Sequence, residues 1–344
     1  MHDHVISRPA SRRLGKHLAS WLSRAVLAAA LLPAPMMARG ERFAFGVLGD
    51  APYNDWQRAQ MPALIAEMNI DDLAFVIHVG DFKHGDAPCT DTVYRDRREL
   101  FDSLHHPLVL TPGDNDWSDC ARPAAGGYQP EERLERLRAM FFSGSTSLGQ
   151  TPMPLVRQSP DYPENQRWQR GRVLFMTLNV PGGNNHIGDP RKPNPEYVAR
   201  MHANLAWLAA GFAMARAQRL AAVVIAMQAN PRFMRAPAGL ANPGFEELIE
   251  HVRRETLEFS GRVLWVHGDS HLMRIDTPLL DAGVPLKRLT RLETYASPFL
   301  GWIRVRVDDD TPEVFRFEPQ PYRPPRPPSM GDSRGSPSAG TGPG

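Results

Sequence analysis

Short apolar runs alternate with amphipathic stretches along most of this chain. The apolar runs cover 43–48, 73–79, 107–110, 173–180, 222–227 and 263–267. Stretches with apolar residues at helical spacing lie at about 55–69, 91–104, 131–142, 195–218 and 244–258. Short apolar runs bounded by turn residues indicate buried strands, and their alternation with helices is typical of βαβ units. The pattern therefore predicts an α/β fold with a largely parallel sheet.

The C-terminal part of the chain has a different pattern. Apolar and polar residues alternate at 302–307 and again at 314–317, which predicts a hairpin with one solvated face. From Pro319 onward, 17 of the last 26 residues are Pro, Gly or Ser. Such a segment cannot bury enough apolar surface to offset the entropy of ordering. We therefore predict a disordered tail at 319–344.

The N-terminus has the three regions of a secretory signal peptide. Basic residues extend to Arg24, an apolar stretch follows at 25–32, and small or soft residues continue to Ala38. This order predicts a signal peptide at 1–38 and a periplasmic or secreted protein. We favour export by the Sec route, and the two arginines at 12–13 leave the twin-arginine route open. The alternative to a cleaved signal peptide is an uncleaved interfacial anchor. The apolar stretch is too short to span a bilayer comfortably, so we expect no membrane association beyond the signal peptide.

Composition and charge narrow the choice of partners. The chain has 344 residues, of which 42% are hydrophobic, enough for a full core. Its formal charge of +2 becomes −2 when the five basic residues and one acidic residue of 1–38 are set aside. The rest of the chain has no basic stripe, which argues against nucleic-acid binding. We expect a monomer.

The cysteine count is two, Cys89 and Cys120. Both lie in loop-like segments that follow candidate site strands. An exported chain with an even number of cysteines favours a disulfide, which would join these two loops. Two free buried thiols are the alternative.

Four predicted strands are followed by motifs that carry carboxylates. These are Gly-Asp-Ala-Pro-Tyr at 49–53, Gly-Asp at 80–81, Gly-Asp-Asn-Asp at 113–116 and Gly-Asp-Ser-His at 268–271. Each Asp alone is a common turn former. The carboxyl ends of strands are, however, where open α/β folds build their sites, and crowded carboxylates repel one another unless a cation joins them. Oxygen ligands suit Mg²⁺, Mn²⁺ or Ca²⁺, so the pattern predicts a metal site.

The order of these motifs resembles the calcineurin-like metallophosphoesterase superfamily, whose motifs are D-x-H, G-D, G-N-H-D/E, a strand-end His and G-H-x-H. The resemblance covers about 43–318, and the stretches at 49–53, 78–83, 111–117 with Cys120, and 266–271 look like an exported bacterial branch. It implies one domain at 42–318, a four-layer α/β/β/α sandwich. It also implies hydrolysis of a phosphate mono- or diester by a metal-bound hydroxide in a dinuclear site. The two divalent ions would be Mn²⁺ or Mg²⁺ by preference, with Fe or Zn open.

Carried over position by position, the resemblance implies a set of metal ligands. Asp81 matches the aspartate that bridges both metals, and the full set is Asp50, Asp81, Asp114, Gln228, Asp269 and His271. Several positions depart from the family. Its His two residues after the first Asp falls on Pro52, which cannot ligate, and Gln228 and Asp269 also stand where the family has His. Tyr53 could supply a phenolate or a hydrogen bond, or simply pack, and Gln228 could be a turn amide.

The predicted site lacks the histidine that serves as proton donor in the family. In direct register Asn115 replaces the family's His, whereas a shift by one makes Asn115 the ligand and Asp116 the acid. Neither register restores an imidazole, although His84 could stand in. General acid catalysis contributes ~10²–10⁴-fold, so a catalytically weakened or inactive metal-binding or ligand-binding protein is the alternative function.

A glycine-rich loop follows the predicted strand at 173–180. It lacks both G-x-G-x-x-G and the P-loop sequence, which argues against a dinucleotide-dependent oxidoreductase. We predict that Asn184, Asn185 and His186 in this loop contact substrate.

Overall fold

The computed structural model describes residues 40–324, so the predicted signal peptide and most of the predicted tail lie outside the described residues. None of the helices within 40–324 combines the length and hydrophobicity that a membrane crossing requires. The helices are α1 (Asp55–Asn69), α2 (Asp91–Asp102), α3 (Pro130–Phe141), α4 (Gly182–Asn185, a single turn), α5 (Pro195–Ala217) and α6 (Glu246–Glu258). The strands are β1 (Arg42–Leu48), β2 (Val76–His78), β3 (Leu108–Leu110), β4 (Val156–Arg157), β5 (Gln166–Arg170), β6 (Val173–Thr177), β7 (Gly188–Asp189), β8 (Lys192–Pro193), β9 (Ala222–Ala226), β10 (Arg262–His267), β11 (Arg274–Asp276), β12 (Leu280–Asp281), β13 (Val284–Pro285), β14 (Leu289–Glu293), β15 (Gly301–Asp308) and β16 (Phe315–Pro321).

The long strands form two sheets. One has the order β16-β15-β1-β2-β3, and the other has the order β11-β14-β10-β9-β6-β5-β4. Pairing is parallel in β1-β2-β3 and in β6-β9-β10-β14, with antiparallel strands toward the edges. The predicted parallel pairing is confirmed, but it is divided between two sheets.

Alternate side chains of the central strands pack into different cores. In β1, Phe45 and Val47 belong to a core shared with β6, β9 and β10 of the other sheet, whereas Ala44 and Leu48 pack with α1, α2 and α3. A third core joins the outer face of the seven-stranded sheet to α5 and α6. The chain is therefore a four-layer α/β/β/α sandwich, as predicted.

The parallel strands of each sheet end at the same level. Leu48 is paired with His78, and His78 with Leu110; in the other sheet Thr177 is paired with Ala226. The motifs that follow these strands are therefore brought to one edge of the sandwich.

The structure extends and corrects the sequence predictions at two places. Strands β4, β5, β11 and β14 of the seven-stranded sheet were not predicted, and β4 and β5 lie in what was expected to be a loop at 143–170; polar residues stand among the apolar ones in β5 and β14. Strand β16 continues to Pro321, so the first three residues of the predicted tail belong to the sheet. Proline is tolerated there because β16 is an edge strand.

Candidate functional site

The Asp81 carboxylate is the centre of a hydrogen-bond network. Its Oδ2 accepts from Tyr53 Oη at 3.0 Å, Asn115 Nδ2 at 2.9 Å and Gln228 Nε2 at 3.0 Å. Its Oδ1 accepts from the backbone N–H of Asn115 at 3.1 Å. Residues that follow β1, β2, β3 and β9 therefore meet at one buried carboxylate.

Asp50 lies beside this network and is fully buried. Its Oδ1 accepts from the backbone N–H of Asp269 at 3.0 Å, with Tyr53 Oη 3.5 Å away. Its Oδ2 has no hydrogen-bond partner. A buried carboxylate oxygen without a partner is costly, and a cation would offset that cost.

The imidazole of His271 faces Asp50. Its Nδ1 donates to the carbonyl of Ser297 at 2.7 Å, which leaves the lone pair on Nε2, 3.9 Å from Asp50 Oδ1. A backbone carbonyl that fixes one ring nitrogen in this way is common for metal-binding histidines.

Asp116 is a structural carboxylate. Its Oδ2 accepts from the backbone N–H groups of Asp81 and Gly113, both at 2.8 Å, and its Oδ1 accepts from that of Phe82 at 3.0 Å. The side chain is fully buried and both oxygens are engaged. The geometry favours the direct register of 113–116, in which Asn115 reaches the site, and it does not support Asp116 as the acid.

Asp114 packs against the loop that follows β6. A side chain at Gly182 would place its Cβ 2.5 Å from the Asp114 carboxylate. Asp114 Oδ1 is buried without a partner. Burial, followed by the charges of Asp269, Asp119 and Asp116, raises the pKa of Asp114 to about 7.

Burial also raises the pKa values of the other carboxyl groups of the site. Burial raises the pKa of Asp50 and of Asp81 well above the usual range, and neighbouring carboxylates raise both further. Burial and the charges of Asp81 and Asp50 raise the pKa of Tyr53, so the phenol keeps its proton and donates. Burial also raises the pKa of Asp269.

Both polar atoms of the Gln228 side chain already have partners. Its Oε1 accepts from the backbone N–H of Gly182 at 2.6 Å, and its Nε2 donates to Asp81. This arrangement does not fit the predicted metal ligand; Gln228 instead holds Asp81 and the 182 loop in place.

Four residues of the motifs adopt left-handed backbone conformations. The φ angles are 49° at Asp50, 55° at Asp81, 77° at Asp269 and 56° at His271. Non-glycine residues in this region are strained, and such residues cluster at functional sites. The strained residues therefore lie at the same edge of the sandwich as the site carboxylates.

The predicted substrate loop is only partly available to a substrate. Gly183, Asn184, Asn185 and His186 form a left-handed turn. Asn185 is fully buried; its side chain donates to the carbonyl of Gly244 and accepts from Arg200, which does not fit substrate contact. Asn184 is half-buried, and the half-buried His186 ring lies 5.2 Å from the Trp117 ring.

Cys89 and Cys120 form the predicted disulfide, with Cα atoms 5.8 Å apart. Tyr94 Oη lies 3.6 Å from Cys120 Sγ and donates to the carbonyl of Asp116 at 2.7 Å. The two disulfide sulfurs lie 3.8 and 4.0 Å from the backbone carbonyl oxygen of Asn115, so the disulfide packs against the loop that carries Asn115.

A buried carboxylate oxygen without a partner lies on each side of Asp81. Within 40–324, no three or more His, Cys, Asp or Glu side chains form a group that could hold a metal ion. On the Asp50 side, Asp50 Oδ2 has no partner, Tyr53 Oη lies 3.5 Å from Asp50 Oδ1 and 3.0 Å from Asp81 Oδ2, and His271 Nε2 lies 3.9 Å from Asp50 Oδ1. On the other side, Asp114 Oδ1 has no partner, whereas Gln228 Oε1 accepts from the backbone N–H of Gly182 and Asp269 Oδ2 accepts from that of Asn230 at 2.9 Å.

Sequence reasoning missed three residues that support the site: Asn230, Glu293 and Ser297. Glu293 and Ser297 belong to or follow β14, which was not predicted. Asn230 comes two residues after Gln228, and its position just after a predicted strand could have indicated that it belongs to the site.

No protein-family model and no curated protein matches the chain. Among solved structures it is similar to a 5'-nucleotidase from Candida albicans SC5314, with 13% identity and a TM-score of 0.40 over 80% of this chain and 50% of that one. It is similar to purple acid phosphatase PPD1 from yellow lupin (Lupinus luteus), with 12% identity and a TM-score of 0.46 over 82% and 54%. A novel phosphatase from Mycoplasma pneumoniae has 11% identity and a TM-score of 0.41 over 83% and 94%. The chain spans about half the length of the first two proteins.

Proposed function

We propose that this chain is a metal-dependent phosphoesterase of the calcineurin-like metallophosphoesterase superfamily. The observation that carries the proposal is the meeting of Asp50, Asp81 and Asp269 at the carboxyl ends of strands from two sheets. Buried, mutually repelling carboxylates with an unpartnered oxygen at Asp50 make a site that binds a divalent cation. The order of the motifs along the sequence supports the same family.

Asp50, Tyr53, Asp81 and His271 would hold a divalent cation, with Mn²⁺ or Mg²⁺ favoured. When bound, it would supply Lewis acidity, neutralising charge on the phosphate and activating water. A second cation, on the Asp114 and Asp269 side of Asp81, is the further expectation from the family resemblance. Tyr53 as a ligand keeps Fe open, and Zn remains an alternative ion.

The chain's own residues would orient the phosphate and supply the proton. Asn115 Nδ2 donates to Tyr53 Oη and to Asp81 Oδ2, both at 2.9 Å, so it would turn one of these two N–H groups to a phosphate oxygen when substrate binds. The exposed His84 ring lies 5.5 Å from the Tyr53 ring. We assign His84 as the proton donor to the leaving group, because both Asp116 oxygens accept backbone hydrogen bonds that hold the 81–82 and 113 segments.

The test uses the purified chain without residues 1–38. Its metal content is measured, and an aryl phosphomonoester and a phosphodiester are assayed with Mn²⁺, Mg²⁺, Zn²⁺ or Fe. We expect hydrolysis that Asp81→Asn abolishes while circular dichroism stays unchanged. One or two bound ions per chain will decide between a mononuclear and a dinuclear site. Bound metal without turnover of either ester would instead indicate the binding-protein alternative, and neither metal nor turnover would refute the proposal.

We also propose that the protein is exported to the periplasm or beyond and acts as a monomer on a small phosphorylated substrate. The Cys89–Cys120 disulfide supports export, since such bonds persist in oxidising compartments. Cell fractionation with N-terminal sequencing tests cleavage near residue 38, and light scattering tests the monomer. An intact N-terminus in the cytoplasm would refute export.

A further inference from the structure

Rings line the Asp50 side of the site. The Tyr53 ring centroid lies 5.5 Å from that of His84 and 5.2 Å from that of His271. Three large apolar residues lie close in sequence to residues of this site: Trp56 follows Tyr53, Leu272 follows His271, and Phe299 follows Ser297. Each is more than half exposed, although large apolar side chains are usually covered. We call these three residues the apolar border.

Hydrogen bonds to one residue, Ser297, draw the segments of the apolar border together. Ser297 N donates to the carbonyl of Asp50 at 3.1 Å, and the Ser297 carbonyl accepts from His271 Nδ1 at 2.7 Å. Ser297 Oγ accepts from Gln57 Nε2 at 3.1 Å.

The apolar border is therefore close to the carboxylates. Trp56 adjoins Gln57, Leu272 adjoins His271, and Phe299 is two residues from Ser297. Consecutive Cα atoms are about 3.8 Å apart, so each border Cα lies within roughly 8 Å of the Cα of a residue in the Ser297 hydrogen-bond set.

We propose that the apolar border binds an aromatic or other apolar group of the substrate, so that the chain prefers phosphate esters carrying such a group. The inference rests on the proposed function, which places the phosphate at Asp50 and Asp81. The organic part of the ester then extends outward, past the Tyr53 ring. Covering exposed aromatic and aliphatic side chains with an aromatic group is favourable by the area removed from water. The segments that carry the border are joined through Ser297 to Asp50 and His271 of the site, which favours the substrate over a separate protein partner as its occupant.

The test measures binding, so that it does not depend on turnover. Ethylphosphonate and 2-phenylethylphosphonate, which differ by one phenyl group, are titrated by calorimetry with Mn²⁺ present. The variants are Trp56→Ala, Leu272→Ala and Phe299→Ala. The control is Ile70→Ala, an exposed apolar residue just beyond the other end of α1, about 20 Å from Trp56.

We expect the wild-type chain to bind the phenyl compound about 10-fold more tightly than ethylphosphonate. Trp56→Ala and Phe299→Ala should reduce this ratio to about 3-fold or less, whereas Ile70→Ala should preserve it. Equal affinities in the wild-type chain, no binding of either compound, or a ratio preserved in all three border variants would overturn the proposal. Hydrolysis of the corresponding ethyl and phenylethyl esters is read separately: a binding preference without turnover would refute the proposed function and leave the apolar border intact.

Discussion

The backbone N–H of Asp269 donates to Asp50 Oδ1 at 3.0 Å, although the two residues are 219 positions apart and follow strands of different sheets. This bond joins the loops of the two sheets at the edge where the carboxylates collect. Its acceptor is the residue whose other oxygen has no partner. Asp50 thus connects the sheets and offers a position for a cation.

Replacing Asp50 with Asn should separate these two roles. The Asn oxygen can still accept from Asp269, so the fold should be retained, but the negative charge is lost. We expect cation affinity to fall at least about 10-fold and hydrolysis to fall more than about 100-fold. Equilibrium dialysis and ester hydrolysis measure these changes. Asp55→Asn, at an exposed position in the first turn of α1, is the control and should match the wild-type chain. Unchanged cation affinity in Asp50→Asn would remove Asp50 from the site.

Asp116→Asn should affect stability more than the chemical step. An Asn side chain has only one oxygen for the three backbone N–H groups that Asp116 now satisfies. We expect the free energy of unfolding, measured by urea denaturation, to fall by about 1–3 kcal/mol. The pH–rate profile of the folded variant should keep the wild-type shape. Loss of its basic limb in the variant would instead identify Asp116 as the acid.

Asp114 should make stability depend on pH. The folded-state pKa is raised to about 7, whereas the unfolded chain ionises near 3.9. The native state therefore holds the proton more tightly, and this contribution to stability is lost as pH rises from about 4 to about 7. Buried His78 and His267, whose pKa values burial lowers to about 3, act in the opposite direction below pH 6.5.

The experiment therefore uses the difference between two proteins. The free energy of unfolding of the wild-type chain minus that of Asp114→Asn, measured with EDTA, should decrease from pH 4 to pH 7. Added Mn²⁺ should reduce the decrease, because a cation favours the ionised carboxylates. A difference that rises with pH would contradict the assignment.

Much of the fold could be predicted because local patterns specify it. Apolar runs such as 222–227 and 263–267 are long and uninterrupted, and Gly-Asp turns mark where the strands end. Strand β14 could not be predicted in the same way, because Arg291 and Glu293 are charged residues of the kind usually found at the surface. In the fold, Arg291 pairs with Asp276 and Glu293 pairs with Arg274. The partner of a buried charge lies in another segment, and a single sequence does not show it.

The candidate site could likewise be predicted only in part. The positions of Asp50, Asp81 and Asp269 at one edge follow from strand order. The roles of Asp116, Gln228 and Asn185 do not, because each depends on which backbone group its side chain meets. Asn185 lies in a glycine-rich loop typical of binding sites, yet Arg200 and the carbonyl of Gly244 take up its amide.

The Cys89–Cys120 disulfide should contribute to stability through the loop that it closes. The two residues are 31 positions apart, and cross-linking a loop of this length stabilises a fold by about 3–4 kcal/mol through the unfolded state. The double variant Cys89→Ala/Cys120→Ala should lose about this much in urea denaturation. The reduced wild-type chain should match the double variant, and equal stability of all three forms would contradict the prediction.

Glu293 should control the turn that carries Asp269 and His271. It is fully buried; its carboxylate accepts from Ser270 Oγ, from Arg274 Nε at 2.6 Å and from the backbone N–H of Leu272 at 3.4 Å. Glu293→Gln keeps the shape but puts a donor where only acceptors are needed. We expect Mn²⁺ affinity, measured by calorimetry, to fall about 10–100-fold, as when residues that orient metal ligands are replaced.

The control for Glu293→Gln is Glu164→Gln, which alters a second fully buried carboxylate paired with an arginine. Glu164 accepts from Arg138 at 2.8 and 3.0 Å and from Asn179 at 3.0 Å, and it bonds to none of the predicted metal ligands. Both variants should lose stability, because each removes the charge of a fully buried carboxylate that pairs with an arginine. Only Glu293→Gln should weaken Mn²⁺ binding. Equal losses of affinity in the two variants would mean that general destabilisation, and not the orientation of the 268–274 turn, explains the effect.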